Sequence, residues 1–473
     1  MKTEKSLSIF KLVMMTVVAI DSLKNLPTNA QYGSDLIFYY TIAILIFFIP
    51  SALVSAELAT TWPVTGGIYI WVREAFGKKL AFLIVWMQFL IAITWYPTIL
   101  SFIAATFAYL FTPELAMNKS YIFAATQILF WFAVFLVGRG LNISSLVSTL
   151  SAVIGVIVPM LFFIVLGLGW IVSGHQSQIH LPGTIAVEKM LSADSLRLFI
   201  TLLYSLMGME IIAGHASEVS NPQKNYPRAI LVSACIILAT VIPSSLAIAM
   251  VISPQQISLT TGVIEAFTIF LAAFHLEWLR PFLIMAVVIG SFGIFFTWFL
   301  TAARCLAVAA NDGSLPLFLR MTNRHNMPIK QLVLQGLFFT AISSAFIWMP
   351  SINNAFWFLS AAAAQFALLY YVVLFAAALR LRYKHKEIER PFRVGKNPIL
   401  FWLVCGIASA ACLIAFAFGF LPPPDVASNQ ILRYEIALTG FIIIGFGSGW
   451  WIYQAYQSNQ DEDDAESESV LSS

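Results

Sequence analysis

The chain has 473 residues, of which 60% are apolar and only 10% are charged, and its mean hydropathy is +0.85. A soluble globular protein does not need this much apolar surface, so the composition excludes that class and predicts a membrane protein. The formal net charge of +3 comes mostly from basic loops and indicates no nucleic-acid partner.

About twelve apolar runs reach the roughly 20 residues that cross a bilayer core about 30 Å thick. The shorter run Gly262–His275 follows Pro254 and is predicted to be an external helix lying on the surface. The first run carries Asp21 and Lys24 and lacks a small-residue cleavage site, so we expect it to stay in the mature protein. The predicted all-α fold has transmembrane helices over 9–31, 37–60, 80–112, 121–138, 144–173, 196–218, 227–252, 277–310, 328–349, 354–381, 398–420 and 434–456.

One membrane domain is predicted over 9–456, with a short amino-terminal segment at 1–8 and an acidic, disordered tail at 457–473. Of the 26 Lys and Arg residues, 19 fall in segments on the same side as the amino terminus and 5 on the opposite side. Because basic loops stay inside, both termini and the tail are predicted to be cytoplasmic, in a multi-pass protein of the cell inner (plasma) membrane.

Two of the predicted helices are interrupted. The apolar run of helix 1 meets the polar stretch Asp21–Pro27, and that of helix 6 meets Met207–His215 with its two glycines. Such stretches weaken helical hydrogen bonding, and open backbone groups at membrane depth must face protein or a wet cavity. Helices 1 and 6 each begin a set of five predicted helices, at about 9–173 and 196–381. Because five is odd, the second set starts on the opposite side of the membrane, so the two repeats must be inverted. Paired breaks predict a transporter binding site there, and helices at about 398–456 are peripheral.

Ionisable side chains inside spans are costly, so each is a candidate functional group. Glu57 and Arg304 lie near predicted cytoplasmic ends, where snorkelling or an internal ion pair explains them. For Asp21, Lys24 and Glu210 two interpretations stay open. One is a buried charge cluster that holds helix 1 against helix 6, and the other is a substrate site in which half-helix amides bind a carboxylate beside a switchable charge.

Four stretches of the sequence resemble the amino acid-polyamine-organocation transporter family: Glu57–Gly77, Tyr204–Ala229, Trp298–Pro316 and Arg390–Arg393. The resemblance implies ten core helices in two inverted five-helix repeats plus two peripheral helices, with helices 1 and 6 broken. It also implies alternating-access transport of amino acids or their amines. The polar helix 1 that ends in Pro and the stretch Gly208–Pro222 are most similar to the glutamate/GABA antiporter branch.

The resemblance also implies roles for individual positions. In arginine/agmatine antiporters of the family, the aromatic residues that match Tyr204 and Trp298 gate the substrate, and the acid that matches Glu210 is linked to gating and pH response. Tyr replaces the usual Trp at 204. Where the family often has a Gly-Ser-Gly type turn, this chain has Ile20–Ser22 followed by Lys24. A cation there favours an acidic or zwitterionic substrate over a dication.

The expected function is exchange of amino acids across the membrane, glutamate/GABA-like or neutral, with proton or pH dependence. The alternatives are a sodium- or proton-coupled symporter and a sensor that binds without transport. We expect no enzyme, since no metal-ligand or nucleophile motif occurs, and neither metal nor cofactor. The expected partners are a small-molecule amino acid and the lipid bilayer but no nucleic acid, and a homodimer stays open. The predicted substrate-binding residues are Ile20, Asp21, Ser22, Lys24, Tyr204, Met207, Gly208, Ala213 and Trp298, and the gating or proton-linked residues are Glu210, Trp298 and Lys24.

Overall fold

The structure is a computed structural model that describes residues 8–64, 66–139, 150–151, 153–179, 192–210, 221–315, 321–323, 327–395, 397–422 and 430–471. Helices dominate these residues, and no β-strand occurs among them. In chain order the main helices are α1 (Ile9–Ile20), α2 (Leu26–Ala30), α3 (Gly33–Thr61), α4 (Ile68–Phe76), α5 (Lys78–Ala108), α6 (Lys119–Gly138), α7 (Val153–Val172), α8 (Ala193–Ser205), α9 (Pro222–Val251), α10 (Gly262–Ala273), α11 (Arg280–Ala309), α12 (Ile329–Trp348), α13 (Ile352–Lys384), α14 (Pro398–Phe418) and α15 (Ile431–Leu471).

Ten of the described helices are long and apolar enough to cross a membrane. The other two predicted spans are the interrupted ones. Helix 1 is divided into α1 and α2, and helix 6 is described only as α8 and the turn that follows it. The prediction of an all-α fold with about twelve spans is therefore confirmed as ten continuous helices and two broken ones. The inverted relation of the two repeats remains a prediction from the family resemblance.

The long helices differ in how much of their apolar surface is buried. In α5 and α13, 83% and 72% of the residues in the most apolar stretch are buried, whereas the values are 33% in α14 and 22% in α15. A helix that is apolar on all sides and buried lies inside the bundle, whereas an exposed apolar helix faces lipid. However, α6, which is predicted to be a core helix, is also 33% buried, so the peripheral position of the last two helices stays a prediction.

The short run after Pro254 is a helix, α10, but it does not lie on the surface as predicted. Val263, Ile264 and Phe267 of α10 are fully buried, and the Phe267 ring stacks on Phe163 of α7 with 3.8 Å between centroids. The reason is that almost every residue from Gly262 to Ala273 is apolar, so no face of the helix is suited to water. The helix instead packs against α2, α7 and α9.

The last helix continues through the acidic segment to Leu471, where the sequence analysis favoured a disordered tail. No Gly or Pro occurs between Trp450 and Leu471, so nothing in the backbone chemistry ends the helix that the apolar span begins. Side chains after Tyr456 lie outside the described part of the chain, and the extent of the domain stays a prediction.

Candidate substrate-binding site

The break in helix 1 begins where α1 ends. Asp21 and Ser22 adopt extended backbone conformations, and the Asp21 N–H closes the last turn on the Val17 carbonyl at 2.7 Å. A tight turn at Leu23–Asn25 follows before α2 resumes with a Pro in its first turn. The last carbonyls of α1 therefore have no helical partners, as expected at a helix end. The predicted polar break is confirmed as a break in the backbone.

The break in helix 6 follows Ser205, where α8 ends. Gly208 has a φ of +128°, a conformation that favours glycine, and its N–H donates to the hydroxyl of Tyr371 at 2.7 Å. The chain therefore leaves the helix beside α13. Ala213 and His215, which the sequence analysis singled out, lie outside the described residues.

Asp21 and Lys24 lie three residues apart in the break of helix 1, and both are buried. The Asp21 carboxylate accepts a hydrogen bond from Thr240 of α9 at 2.8 Å, and its second oxygen has no hydrogen-bond partner. The Lys24 ammonium donates to Thr98 of α5 at 3.3 Å and lies 5.1 Å from the centre of the Phe356 ring. Each charge is thus held by a neutral hydroxyl on a different helix.

Glu210 is also buried, and its carboxylate accepts a hydrogen bond from the Tyr371 hydroxyl. The same hydroxyl accepts from the Gly208 N–H, so one tyrosine of α13 connects the backbone break with the acid. The Tyr371 hydroxyl therefore holds this carboxylate beside the break.

The described residues contain no ion pair that involves Asp21, Lys24 or Glu210. The interpretation of a buried pair between helix 1 and helix 6 is therefore wrong in this conformation. Burying a charge without a counter-charge costs several kcal/mol, at most partly offset by hydroxyl hydrogen bonds. Such an arrangement is compatible with a binding site in which a ligand supplies the missing counter-charges.

Two small cavities lie at the breaks, with volumes of about 40 Å³ and 20 Å³. Asn25, Tyr204 and Ser205 line both of them, so Tyr204 and its neighbours separate one cavity from the other. Each has room for one or a few water molecules rather than for an amino acid. Among the described residues, neither of these two cavities is large enough to hold an amino acid.

The predicted site residues divide between these cavities. The larger one is lined by Ile20, Ser22, Tyr204, Met207 and Trp298, and the smaller one by Lys24 and again Tyr204. Asp21, Gly208 and Glu210 line neither cavity. Asp21 is hydrogen-bonded to the Thr240 hydroxyl, and Gly208 and Glu210 are hydrogen-bonded to the Tyr371 hydroxyl.

Sequence reasoning missed several lining residues. Trp95 of α5 lies 5.7 Å, centroid to centroid, from Trp298 and forms one wall with it. Asn25 lines both cavities. Asn25 belongs to the polar stretch that predicts the break, so the sequence could have indicated that it lines a cavity. Trp95 is one of 13 tryptophans in the chain, and nothing in its local pattern distinguishes it.

Comparison with known proteins identifies the family of the chain. The sequence profile of the amino acid permease family matches residues 7–446. The chain belongs to the amino acid permease family. It is a multi-pass membrane transporter rather than an enzyme, and its partners are a small amino acid substrate and the lipid bilayer.

Three relatives of this permease cover most of its length. An uncharacterized transporter of Legionella pneumophila is 40% identical over 93% of the chain and 95% of the relative. The glutamate/gamma-aminobutyrate antiporter of Lactococcus lactis is 26% identical over 93% of the chain and 89% of the relative. A probable agmatine/putrescine antiporter of the same species is 22% identical over 93% of the chain and 94% of the relative.

A buried ion-pair network closes one end of the permease, which we call the basic end. Glu57 of α3 accepts hydrogen bonds from Arg382 at 2.8 Å, from Arg390 at 3.4 Å and from the Val394 N–H at 2.7 Å. Of the two explanations offered for Glu57, the internal ion pair is therefore confirmed. The network joins the first repeat to the end of α13 and the loop that follows it.

A second contact lies at the end of α11. Asp312 accepts hydrogen bonds from the Tyr69 hydroxyl at 2.6 Å and from Arg73 at 3.0 Å, both on α4. Arg73 and Asp312 are only partly buried, so their pairing contributes less than the Glu57 network. Together the two contacts hold segments of both predicted repeats against each other.

Proposed function

We propose that this permease exchanges amino acids across the membrane, with glutamate and gamma-aminobutyrate as the leading substrate pair. The observation that supports the substrate class is Lys24, a buried cation that lines the smaller cavity. Among the described residues its hydrogen-bond partner is the hydroxyl of Thr98 rather than a carboxylate. A substrate carboxylate would supply the counter-charge.

The charge pattern distinguishes three kinds of substrate. Glutamate carries two carboxylates, so one can approach the helix ends at the break near Ser22 while the other compensates Lys24. Gamma-aminobutyrate carries one carboxylate for Lys24 and one ammonium for Asp21 or Glu210. A dication such as agmatine offers no carboxylate and places a like charge near Lys24, which a poorly solvated site penalises.

Alternating access requires that the two small cavities merge and open in turn. We propose that Tyr204 and Trp298 are the side chains that move, because Tyr204 lines both cavities and Trp298 faces it across the larger one. The amino-acid site then forms only while the substrate is present, and closes again behind it.

We also propose that both termini lie in the cytoplasm of a plasma-membrane protein. The support is the asymmetry of Lys and Arg between the two sides, and the basic end then faces the cytoplasm.

Reconstituted proteoliposomes test the proposal. Vesicles loaded with gamma-aminobutyrate should take up labelled glutamate, and empty vesicles should not. Uptake that needs sodium or a proton gradient instead of an internal amino acid would identify a symporter and refute exchange. Substrate binding in detergent without any flux would identify a sensor, and a screen in which neither acidic nor zwitterionic amino acids compete would refute the substrate class.

A further inference from the structure

The basic end carries a groove that the transport site does not use. It lies between the end of α13 and the start of α14, with a volume of about 530 Å³. Four of the side chains that line it are basic and two are acidic: Arg382, Lys386, Arg390, Arg393, Glu387 and Glu389. The stretch from Arg380 to Gly395 contains six basic and two acidic residues, so this groove lies in a locally positive field.

Arg382 in this groove has donors without an acceptor. Its side chain is only 6% exposed, and one terminal nitrogen is satisfied by Glu57 and the Val394 carbonyl. The Nε and the other terminal nitrogen, Nη1, are buried without a hydrogen-bond partner. The Phe401 ring lies 3.7 Å from the guanidinium carbon and provides a cation–π contact, but it accepts no in-plane hydrogen bond. Buried donors of this kind normally have an acceptor.

The acidic residues do not cancel the positive charge of the groove. Glu57 lies behind it and is already bonded to Arg382 and Arg390. The Glu387 carboxylate contacts His385 at 3.3 Å, and the hydrogen bond from its own backbone, with that from His385, lowers its pKa. Glu387 therefore adds negative charge, but the four basic side chains of the lining still outnumber its two acidic ones.

The surroundings of the groove favour a lipid over a soluble anion. Immediately beyond its Pro398 edge, α14 exposes Ile399, Leu400, Trp402 and Leu403, with exposed fractions of 65%, 47%, 51% and 54%. The Trp402 N–H donates to the Tyr383 hydroxyl at 2.6 Å, an aromatic pair of the type found where membrane meets water. The amino-terminal end of α14, 21 residues long, adds a partial positive charge at the same edge.

We propose that this groove binds the headgroup of an anionic phospholipid, whose acyl chains lie along the exposed face of α14. The phosphate oxygens accept from the basic side chains, and the positive end of the α14 dipole adds to the attraction. The ligand also links the end of α13 to α14 beside the Glu57 network.

Binding can be tested independently of transport. The full-length chain is purified in detergent, and lipid binding is titrated by native mass spectrometry with phosphatidylglycerol, phosphatidylcholine and inorganic phosphate as the probes. The test variant is Lys386→Gln with Arg393→Gln, two exposed residues of the groove. The matched control is Lys224→Gln with Lys330→Gln, two exposed basic residues elsewhere.

Phosphatidylglycerol is expected to bind in preference to phosphatidylcholine, and the groove variant should bind it about 30-fold more weakly while the control is unchanged. An equal loss of phosphatidylglycerol affinity in the groove variant and the control would show that only general surface charge matters, and would overturn the proposal. Equal binding of phosphatidylcholine, or full displacement by inorganic phosphate, would also overturn it. As a second measurement, phosphatidylglycerol should raise the unfolding temperature of the unmodified protein, and no rise would count against the site.

Discussion

The Lys24 ammonium donates to the Thr98 hydroxyl at 3.3 Å, and no carboxylate lies within 4.0 Å of it among the described residues. A cation buried to 3% exposure with only a hydroxyl partner is poorly compensated. The arrangement differs from the Glu57 network, where two arginines and an amide share one carboxylate. The contrast supports the proposal that Lys24 meets a substrate carboxylate, whereas the charge of Glu57 is satisfied within the fold.

Lys24→Ala should therefore weaken the binding of both glutamate and gamma-aminobutyrate, since each places a carboxylate on Lys24, and should remove the preference over dications. Loss of one partner of a buried charge pair costs roughly 2–5 kcal/mol, so we expect the apparent glutamate affinity to fall about 30-fold or more. Competition against one labelled substrate in proteoliposomes measures the ranking. Lys330→Ala, at an exposed lysine, is the control, and an identical ranking for Lys24→Ala would refute the charge argument.

Glu210→Gln should flatten the pH dependence of transport. Glu210 is a buried acid held by the Tyr371 hydroxyl without a basic partner among the described residues, so its charge can change without breaking an ion pair. Gln keeps the shape and an acceptor oxygen but cannot titrate. Exchange rates measured between pH 5 and pH 8 provide the profile.

Glu265→Gln is the matched control for this experiment. Glu265 lies on α10 and also accepts from a tyrosine hydroxyl, that of Tyr109 at 3.2 Å, but it lines neither of the two cavities at the breaks. Its variant should keep the pH profile of the unmodified protein. If Glu210→Gln behaves in the same way, the acid has no role in the pH response.

The breaks could be predicted from the sequence because they depend on local chemistry. A polar run that ends in Pro27 weakens helical hydrogen bonding inside an apolar span, and the glycine at 208 permits the positive φ found there. The walls of the cavities could not be predicted in the same way. Trp95 lies on α5, a helix that is apolar on all sides, so no hydrophobic periodicity shows which face meets the site.

The sequence also does not show which distant residues form ion pairs. Glu57 and Arg382 are 325 positions apart, and the local sequence around either residue does not predict the other as its partner. The error at α10 has a related cause. Its length correctly excluded a span, but length alone does not show whether a short apolar helix lies on the bundle or inside it, and the packing against Phe163 decides that.

Tyr204→Ala should merge the two cavities, because the side chain lines both. We expect a higher leak of substrate in the absence of a counter-substrate, together with weaker binding. Tyr204→Phe keeps the ring and should retain coupled exchange. Efflux from loaded vesicles, with and without external substrate, separates leak from exchange. If the Ala variant remains as tightly coupled as the Phe variant, Tyr204 is a wall residue and not a gate.

Glu57→Gln should destabilise the protein. The change leaves Arg382 and Arg390, with side chains each 6% exposed, without their counter-charge, and breaking a buried pair in this way costs about 3–5 kcal/mol. Thermal unfolding of the purified protein in detergent measures the loss. Glu389→Gln, at an exposed acid of the neighbouring loop, should change the stability very little. Equal unfolding temperatures for the two variants would show that the network contributes nothing net.

Gly290→Ala should prevent α11 from packing on α7. A Cβ atom at Gly290 would lie 2.3 Å from the carbonyl oxygen of Gly155 and 2.4 Å from its Cα, and both are backbone atoms that cannot rotate away. Overpacking usually costs about 1–3 kcal/mol, and contact with backbone removes the relief that a flexible side chain offers. Gly447→Ala in α15, where nothing lies within 4 Å, is the control and should be neutral or slightly stabilising because Ala is the better helix former. Size-exclusion profiles and unfolding temperatures of the two variants compare them directly, and equal stability would mean that the two helices can separate without loss.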